Sequence, residues 1–313
     1  MTVLHEAVVD YLALRRRLGF KLHDAGLQLP RFVDFLEQRG SSTITSRLAL
    51  EWAQQPTSVQ PAEWARRLGY VRAFARHCSA TDPHTEVPSR GLLPHRSTRA
   101  KPYLYSDAEL HALLEAALAW PTRRSSDFLR PRLLHTFIGL LAATGLRTSE
   151  ALGLHLEDVD LNDGLLTIRR SKLGRMRMVP IHRSTCNAIE KYLQLRQRSV
   201  GSESSPYLFV SSRGNQLDMA HLHRNFYALS HQVGLRSPGA RHGPRLHDLR
   251  HRFAVQALVR WYEQGEDVQR RMPELSTYLG HVCVANTYWY LEAWPELMLH
   301  ATARLERRWE GRA

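Results

Sequence analysis

Apolar residues recur at helical spacing along almost the whole of this chain, which limits the fold to a mostly α-helical one. Residues 3–80 contain four segments of this kind and no strand-like stretch. The short β-branched and alternating runs typical of strands occur only over residues 154–181, where turn residues separate three of them. We therefore predict an all-helical first part, followed by a part that combines helices with a small antiparallel β-sheet.

The two predicted parts are joined by a stretch without a periodic pattern. Residues 81–102 contain four prolines, one glycine and several basic residues, a composition typical of an extended linker. We therefore predict a helical domain over residues 1–80, this basic linker, and a second domain over residues 103–313. A capping box formed by Ser106 and Glu109 marks the first helix of the second domain.

The charge balance of the chain favours a polyanionic partner. The 313 residues include 43 Lys and Arg against 30 Asp and Glu, which gives a net charge of +13 and a pI of about 10.1. Such an excess is typical of proteins that bind nucleic acid. Charge alone does not separate DNA from RNA or from an anionic lipid surface.

The cysteines and the apolar runs indicate a reducing, cytoplasmic setting. Cys78, Cys186 and Cys283 are far apart in the sequence, which argues against a disulfide framework and against a Cys-ligated zinc site. The N-terminal segment lacks the order of a signal peptide. No run reaches the ~18 apolar residues of a membrane span, so we expect no membrane attachment.

Four polar segments of the second domain hold the side chains needed to break a phosphodiester without a metal ion. Guanidinium groups bind phosphoryl oxygens bidentately, a tyrosine can attack the phosphorus, and a lysine or histidine can move protons. The segments are Thr144–Glu150, Ser171–Arg177, His247–His251 and Leu279–His281, and Tyr290 follows the last of them.

In their order and internal spacing, these segments resemble those of the tyrosine recombinases, the phage-integrase family. The resemblance covers about residues 103–295. It implies an α+β recombinase catalytic domain there and a core-binding domain in the helical first part. The apolar stripe of the predicted C-terminal helix over residues 295–310 is typical of a helix that packs on its own domain, whereas the resemblance equally implies docking on a neighbouring subunit.

The resemblance assigns a role to each polar residue. Arg147 and Arg250 would hold the scissile phosphate with help from His281. Tyr290 would attack, leaving a 3′-phosphotyrosyl link, and Lys172 would protonate the departing 5′-oxygen. The complete expected catalytic set, in which His247 binds the phosphate or transfers a proton, is Arg147, Lys172, His247, Arg250, His281 and Tyr290.

Several neighbours of these residues have alternative interpretations. Glu150 is expected to support the site by holding Arg147 or a nearby histidine, although it could serve only as an acid in the first turn of a helix. Tyr288 lies two residues before Tyr290, and on a helix the two would point about 200° apart. His251 is expected to be structural. A zinc helix would need a glutamate where Asp248 stands.

Other basic residues are candidates for contacts with the DNA backbone. Four arginines lie on the fourth predicted helix, where a solvated surface is an equally good interpretation. The remaining candidates lie on the linker and on the hairpin that carries Lys172. The full set is Arg66, Arg67, Arg72, Arg76, Arg96, Arg99, Lys101, Arg175 and Arg177.

The function implied by the resemblance is site-specific DNA recombination that needs neither a metal ion nor another cofactor. Its purpose would be integration, excision or transposition of a mobile element, or resolution of DNA. The resemblance also implies a homotetramer on paired double-stranded DNA sites, with inverted repeats, associated with the nucleoid in the cytoplasm. Two alternatives remain open, a topoisomerase IB-like nicking and resealing enzyme and a non-catalytic DNA-binding protein of the same fold.

Overall fold

The computed structural model describes residues 3–94, 102–122, 128–169, 176–200, 205–240 and 242–293. The chain divides into two compact units, residues 1–100 and residues 101–313. The described part is mostly helical and contains one three-stranded antiparallel sheet, so the predicted fold class is confirmed. No helix in these described ranges is both long and apolar enough to cross a membrane.

The first unit is built from helices around an aromatic core. Phe32 and Trp52 meet edge to face with ring centroids 5.2 Å apart, and Phe74 is fully buried with them. The side chain of Thr45 caps one helix by accepting a hydrogen bond from the backbone N–H of Leu48 at 3.3 Å. The helices of this unit are α1 Val3–Arg17, α2 His23–Gln38, α3 Ser46–Gln54 and α4 Pro61–Cys78.

The second unit surrounds a buried helix with other helices and the sheet. Its helices are α5 Asp107–Leu118, α6 Leu129–Thr144, α7 Thr148–Leu152, α8 Arg183–Val200, α9 Met219–Gln232, α10 Asp248–Glu263, α11 Val268–Leu279 and α12 Ala285–Ala293. The buried residues of α6 form the centre of its core. The predicted capping box of α5 is present, because Ser106 and Glu109 exchange hydrogen bonds at 3.1 and 2.7 Å.

The sheet differs from the sequence-based prediction at its first strand. Its strands are β1 Val159–Asp160, β2 Leu165–Ile168 and β3 Arg177–Pro180, in the order β1-β2-β3. The predicted first strand began near Leu154. In the structure, residues 154–156 instead bond to residues 206–208, with both N–H···O distances at 2.8 Å, and a 3-10 turn follows. Only the last two residues before the turn therefore pair with β2.

Two glycine turns end the helices that precede two of the predicted catalytic residues, Arg147 and His281. Gly145 ends α6 and Gly280 ends α11, and both have left-handed φ angles, 60° and 66°. A Cβ on Gly145 would lie 2.7 Å from the ring of Phe253, and one on Gly280 would lie 2.7 Å from the guanidinium of Arg177. Both sites thus need glycine for the turn and for the close approach.

Candidate active site

Arg250 joins the two glycine turns. It lies on α10, is 2% exposed, and donates hydrogen bonds to the carbonyl oxygens of Gly145 at 2.7 Å and Leu279 at 2.6 Å. Burial, and then the nearby charge of Arg147, lower the pKa of Arg250 to about 10. The group therefore stays cationic at neutral pH, and the repulsion between two neighbouring guanidiniums favours an anion at this place.

Arg147 follows the first glycine turn and reaches the second. It donates hydrogen bonds to the carbonyl oxygen of Gly280 at 2.8 Å and to a carboxylate oxygen of Glu150 at 2.7 Å. Its side chain is 21% exposed, whereas that of Glu150 is 2% exposed. Glu150 thus makes the contact expected of it and fixes the guanidinium of Arg147 from the buried side.

Arg177 makes buried contacts that the sequence pattern did not indicate. It was expected to contact DNA, but its guanidinium pairs with the carboxylate of Glu150 at 2.7 and 3.1 Å and donates to the carbonyl oxygen of Tyr278 at 2.8 Å. Burial raises the pKa of Glu150, but hydrogen bonds and charge from Arg177 and Arg147 outweigh it, and the pKa is lowered. Arg177 therefore supports Arg147 through an ionised Glu150.

His247 stands at the start of α10, where it precedes a firmly held aspartate. The buried carboxylate of Asp248 accepts hydrogen bonds from the backbone and the guanidinium of Arg245, at distances from 2.8 to 3.2 Å. Asp248 therefore holds Arg245, a role that its short side chain can fill. The glutamate of a zinc helix has a different role. Burial, followed by the charge of Arg250, lowers the pKa of His247, which favours the neutral ring at pH 7.

His281 and Tyr290 are linked through the helix that carries the tyrosine. The Nδ1 atom of His281 lies 2.7 Å from the hydroxyl oxygen of Thr287, which is fully buried on α12. The rings of His281 and Tyr290 are nearly parallel, with centroids 6.3 Å apart. No role was predicted for Thr287, although its position one turn before Tyr290 places both on the same helix face.

The two tyrosines of α12 lie in different environments. Tyr290 is 2% exposed, and Tyr288 is 40% exposed. The hydroxyl oxygen of Tyr290 lies 3.2 Å from Nδ1 of His251, a residue that we expected to be only structural. The spacing of His247 and His251, one helical turn apart, was the available signal that both belong to this cluster. Their rings meet edge to face, with centroids 5.0 Å apart.

The four arginines of α4 that were predicted to contact DNA differ in their contacts and in their exposure. The guanidinium of Arg67 lies 3.8 Å above the ring of Trp52 and donates to its carbonyl oxygen, and Arg72 donates to the carbonyl oxygens of Pro88 and Ser89. In this structure, these two side chains therefore stabilise the first unit itself.

Arg66 and Arg76 remain available for a DNA contact. Arg66 pairs with Asp24 and Glu63 at the surface, and Arg76 is exposed. The other predicted residues, together with the C-terminal helix over residues 295–310, lie outside the described residues: Arg96, Arg99, Lys101, Lys172 and Arg175.

One group of possible metal ligands occurs in the ranges that the structure describes, and it lies in the first unit. The ring nitrogens of His5 lie 3.0 Å from a carboxylate oxygen of Asp34 and 3.1 Å from one of Glu37. Contacts between the imidazole nitrogens and the two carboxylates account for this geometry without an ion. We assign no metal or cofactor to it.

The sequence matches a known family and its relatives. A family model with the description "Phage integrase family" matches residues 106–296. The putative integrase/recombinase y4rB of Sinorhizobium fredii is 52% identical over 313 residues, covering 100% of both chains. The tyrosine recombinase XerC of Pelobacter propionicus is 30% identical over 239 residues, 76% of this chain and 71% of the relative.

Solved structures share the fold at lower identity. The Tn1549 transposon integrase in complex with transposon right end DNA has a TM-score of 0.65 at 18% identity and covers 98% of this chain and 99% of that one. A lambda integrase tetramer bound to a Holliday junction has a TM-score of 0.63 at 17% identity, covering 91% and 76%. On the family match and the sequence relatives, this chain belongs to the phage integrase family, the tyrosine recombinases.

Proposed function

We propose that this protein is a site-specific DNA recombinase that cuts and rejoins DNA through a 3′-phosphotyrosyl intermediate. The observation that supports the proposal best is the arrangement of the second unit around its two glycine turns. Arg147 and Arg250 are fixed to those turns by carbonyl contacts of 2.6–2.8 Å, and His281 follows directly after the second turn. Tyr290 stacks beside His281.

The proposed phosphate site uses preorganised cations. A guanidinium has five N–H donors, so Arg250 can hold two carbonyl oxygens and still offer donors to a non-bridging phosphate oxygen. Arg147, held by Glu150, would bind the same phosphate. Because both groups are fixed before DNA binds, little reorganisation accompanies the growth of negative charge in the transition state.

The proposed reaction conserves the energy of the phosphodiester bond. Tyr290 forms a bond to phosphorus while the bond to the 5′-oxygen breaks, and Lys172 gives a proton to that oxygen. A 5′-hydroxyl from another strand then reverses the reaction, so no nucleotide cofactor is consumed. His247 is assigned to phosphate binding or to proton transfer.

Strand exchange between two duplexes is the experiment that separates this proposal from its alternatives. Candidate sites are taken from the DNA that flanks the gene, and two duplexes of different length and label are incubated with the protein in excess EDTA. We expect recombinant duplexes, since the arginines supply the charge stabilisation. Nicking and resealing of a single duplex without exchange would support a topoisomerase-like enzyme. DNA binding without any covalent adduct would support a non-catalytic protein, and loss of activity in EDTA with rescue by a metal would revive metal chemistry.

We assign the protein to integration, excision or transposition of a mobile element, or to resolution of DNA, acting as a homotetramer on paired sites with inverted repeats. Two similar proteins support the role in a mobile element. One is the relative named as a putative integrase/recombinase, and the other is the transposon integrase of similar fold. The lambda integrase tetramer on a Holliday junction supports the assembly. Its proposed substrate places it with the nucleoid in the cytoplasm.

We also propose that a first domain over residues 1–80 and a catalytic domain over residues 103–313 grip the duplex together through the basic linker over residues 81–102. Affinity should then fall steeply with salt. Replacing Arg96, Arg99 and Lys101 with glutamine should reduce the slope of log K against log salt by about 0.9 for each phosphate contact removed. Fluorescence anisotropy across a salt series measures that slope.

The matched control for the linker variant is Arg67→Gln. This substitution also removes a positive charge, but Arg67 stacks on Trp52 inside the first unit. It should lower the thermal stability of the protein and leave the salt slope close to the wild-type value. An unchanged slope in the linker variant would contradict the linker contact.

A further prediction concerns Arg177. Because it holds Glu150, which in turn holds Arg147, Arg177→Gln should slow DNA cleavage by about 10²-fold through misplacement of the phosphate-binding group. Arg177→Lys should recover part of that loss, and DNA affinity should change little. The control is Arg169→Gln, which removes a different arginine–carboxylate pair, with Asp158, next to the same hairpin. Equal slowing by both variants would indicate a general loosening of the hairpin.

A further inference from the structure

The contact between His251 and Tyr290 lies out of bulk water. The Nδ1 atom of His251 is 3.2 Å from the hydroxyl oxygen of Tyr290, and the two ring centroids are 5.5 Å apart. His251 is 5% exposed and Tyr290 is 2% exposed. His251 lies on α10 one residue after Arg250, so the helix that contributes to the proposed phosphate site also carries an imidazole to the proposed nucleophile.

A tyrosine nucleophile needs a group that accepts its proton. An ordinary phenol has a pKa of ~10, so about one molecule in a thousand is ionised at pH 7. The neutral oxygen is a poor nucleophile, and a phenolate formed alone in a buried place would be costly. A proton acceptor within hydrogen-bond distance removes both difficulties, because the proton leaves as the bond to phosphorus forms.

The other two histidines of the cluster fit this task less well. The Nδ1 atom of His281 lies against the hydroxyl of Thr287, and its ring stacks on the ring of Tyr290. His247 meets the ring of His251 edge to face, one helical turn earlier on the chain, and its pKa is lowered first by burial and then by the charge of Arg250. The described geometry thus brings the Nδ1 atom of His251 to the hydroxyl of Tyr290.

We propose that His251 is a further catalytic residue, whose Nδ1 atom accepts the proton of the Tyr290 hydroxyl as this oxygen attacks the phosphorus. The bond from phosphorus to the 5′-oxygen breaks in the same step, and that oxygen takes a proton from the general acid. In rejoining, an incoming 5′-hydroxyl gives its proton to the group that acted as the general acid and displaces the tyrosine, whose oxygen takes the proton back from His251. This role requires the tautomer of His251 that carries the ring proton on Nε2. The proposal rests on the proposed function of Tyr290 as the nucleophile.

The test separates proton transfer from positioning by changing the acidity of the nucleophile. His251→Asn keeps a hydrogen-bonding group near the position of Nδ1 but accepts no proton, and it should slow adduct formation on a nicked suicide substrate by about 10²–10⁴-fold. A polyfluorinated tyrosine placed at position 290 has a far more acidic hydroxyl than tyrosine, so it depends much less on a base. In the His251→Asn background it should restore most of the lost rate, relative to the same fluorotyrosine with His251 intact.

Fluorotyrosine at position 288 in the same background is the control and should restore nothing. Both proteins in the rescue comparison carry His251→Asn, so any loss of stability is common to them. A wild-type rate for His251→Asn, or a fluorotyrosine at position 290 that fails to restore the rate, would overturn the assignment of His251. An adduct formed by Tyr290→Phe would instead overturn the proposed nucleophile itself, so the two failures are distinguishable.

Discussion

Tyr290→Phe should form no covalent protein–DNA adduct on a nicked suicide substrate, and the loss should be complete within detection. The substitution removes only the oxygen that would bond to phosphorus, and the remaining ring can still fill its buried place between His251 and His281. DNA affinity should therefore stay near the wild-type value. Denaturing gel electrophoresis with end-labelled DNA measures the adduct, and anisotropy measures the affinity.

Tyr288→Phe is the matched control, because it removes the same atom from a tyrosine two residues away. Tyr288 is 40% exposed, and its hydroxyl is not needed for the proposed chemistry. We expect adduct formation near the wild-type rate. If Tyr288→Phe lost the adduct while Tyr290→Phe kept it, the nucleophile would be Tyr288, and α12 would have to present a different face to the phosphate site when DNA is bound.

Arg250→Lys should slow cleavage by about 10²–10³-fold, the effect of removing one preorganised donor from a developing anion. A lysine keeps the positive charge but lacks the planar fork that spans the carbonyl oxygens of Gly145 and Leu279. The variant should also be less stable by about 1–3 kcal/mol, since a buried carbonyl loses its partner. Single-turnover cleavage and thermal unfolding measure the two effects separately.

The control for this substitution lies on the same helix. Arg252 is also buried, and its guanidinium donates to the carbonyl oxygen of Tyr105 at 3.0 Å and pairs with Asp107. Arg252→Lys should lower the stability of the protein but leave the cleavage rate largely unchanged at a temperature where the variant is folded. If both variants slowed cleavage equally, the effect of Arg250→Lys would be one of stability, and Arg250 would not bind the phosphate.

The helices were predictable because their apolar periodicity is local. The capping box of Ser106 and the glycine that ends α6 are likewise predictable, because each depends on residues only a few positions apart in the sequence. The first strand was misplaced because the backbone of residues 154–156 pairs with residues 206–208. That partner lies far along the sequence, and no local pattern indicates the pairing.

The contacts of charged side chains were harder to predict for the same reason. Arg67, Arg72 and Arg177 are basic residues in positions typical of DNA contacts, yet the first two stabilise the first unit and the third holds Glu150. Whether a guanidinium faces a phosphate or a carbonyl oxygen depends on tertiary neighbours. His251 was underestimated because only the fold brings α10 and α12 together at Tyr290.

The nucleophile is identified most directly by finding the amino acid that carries the DNA. The wild-type covalent complex is trapped on a suicide substrate and digested with protease and nuclease, and the modified peptide is fragmented by tandem mass spectrometry. We expect a nucleotide joined through its 3′-phosphate to the oxygen of Tyr290. A modification on Tyr288 or on any other residue would rule out Tyr290 as the nucleophile, and a link through a 5′-phosphate would rule out the 3′-phosphotyrosyl intermediate.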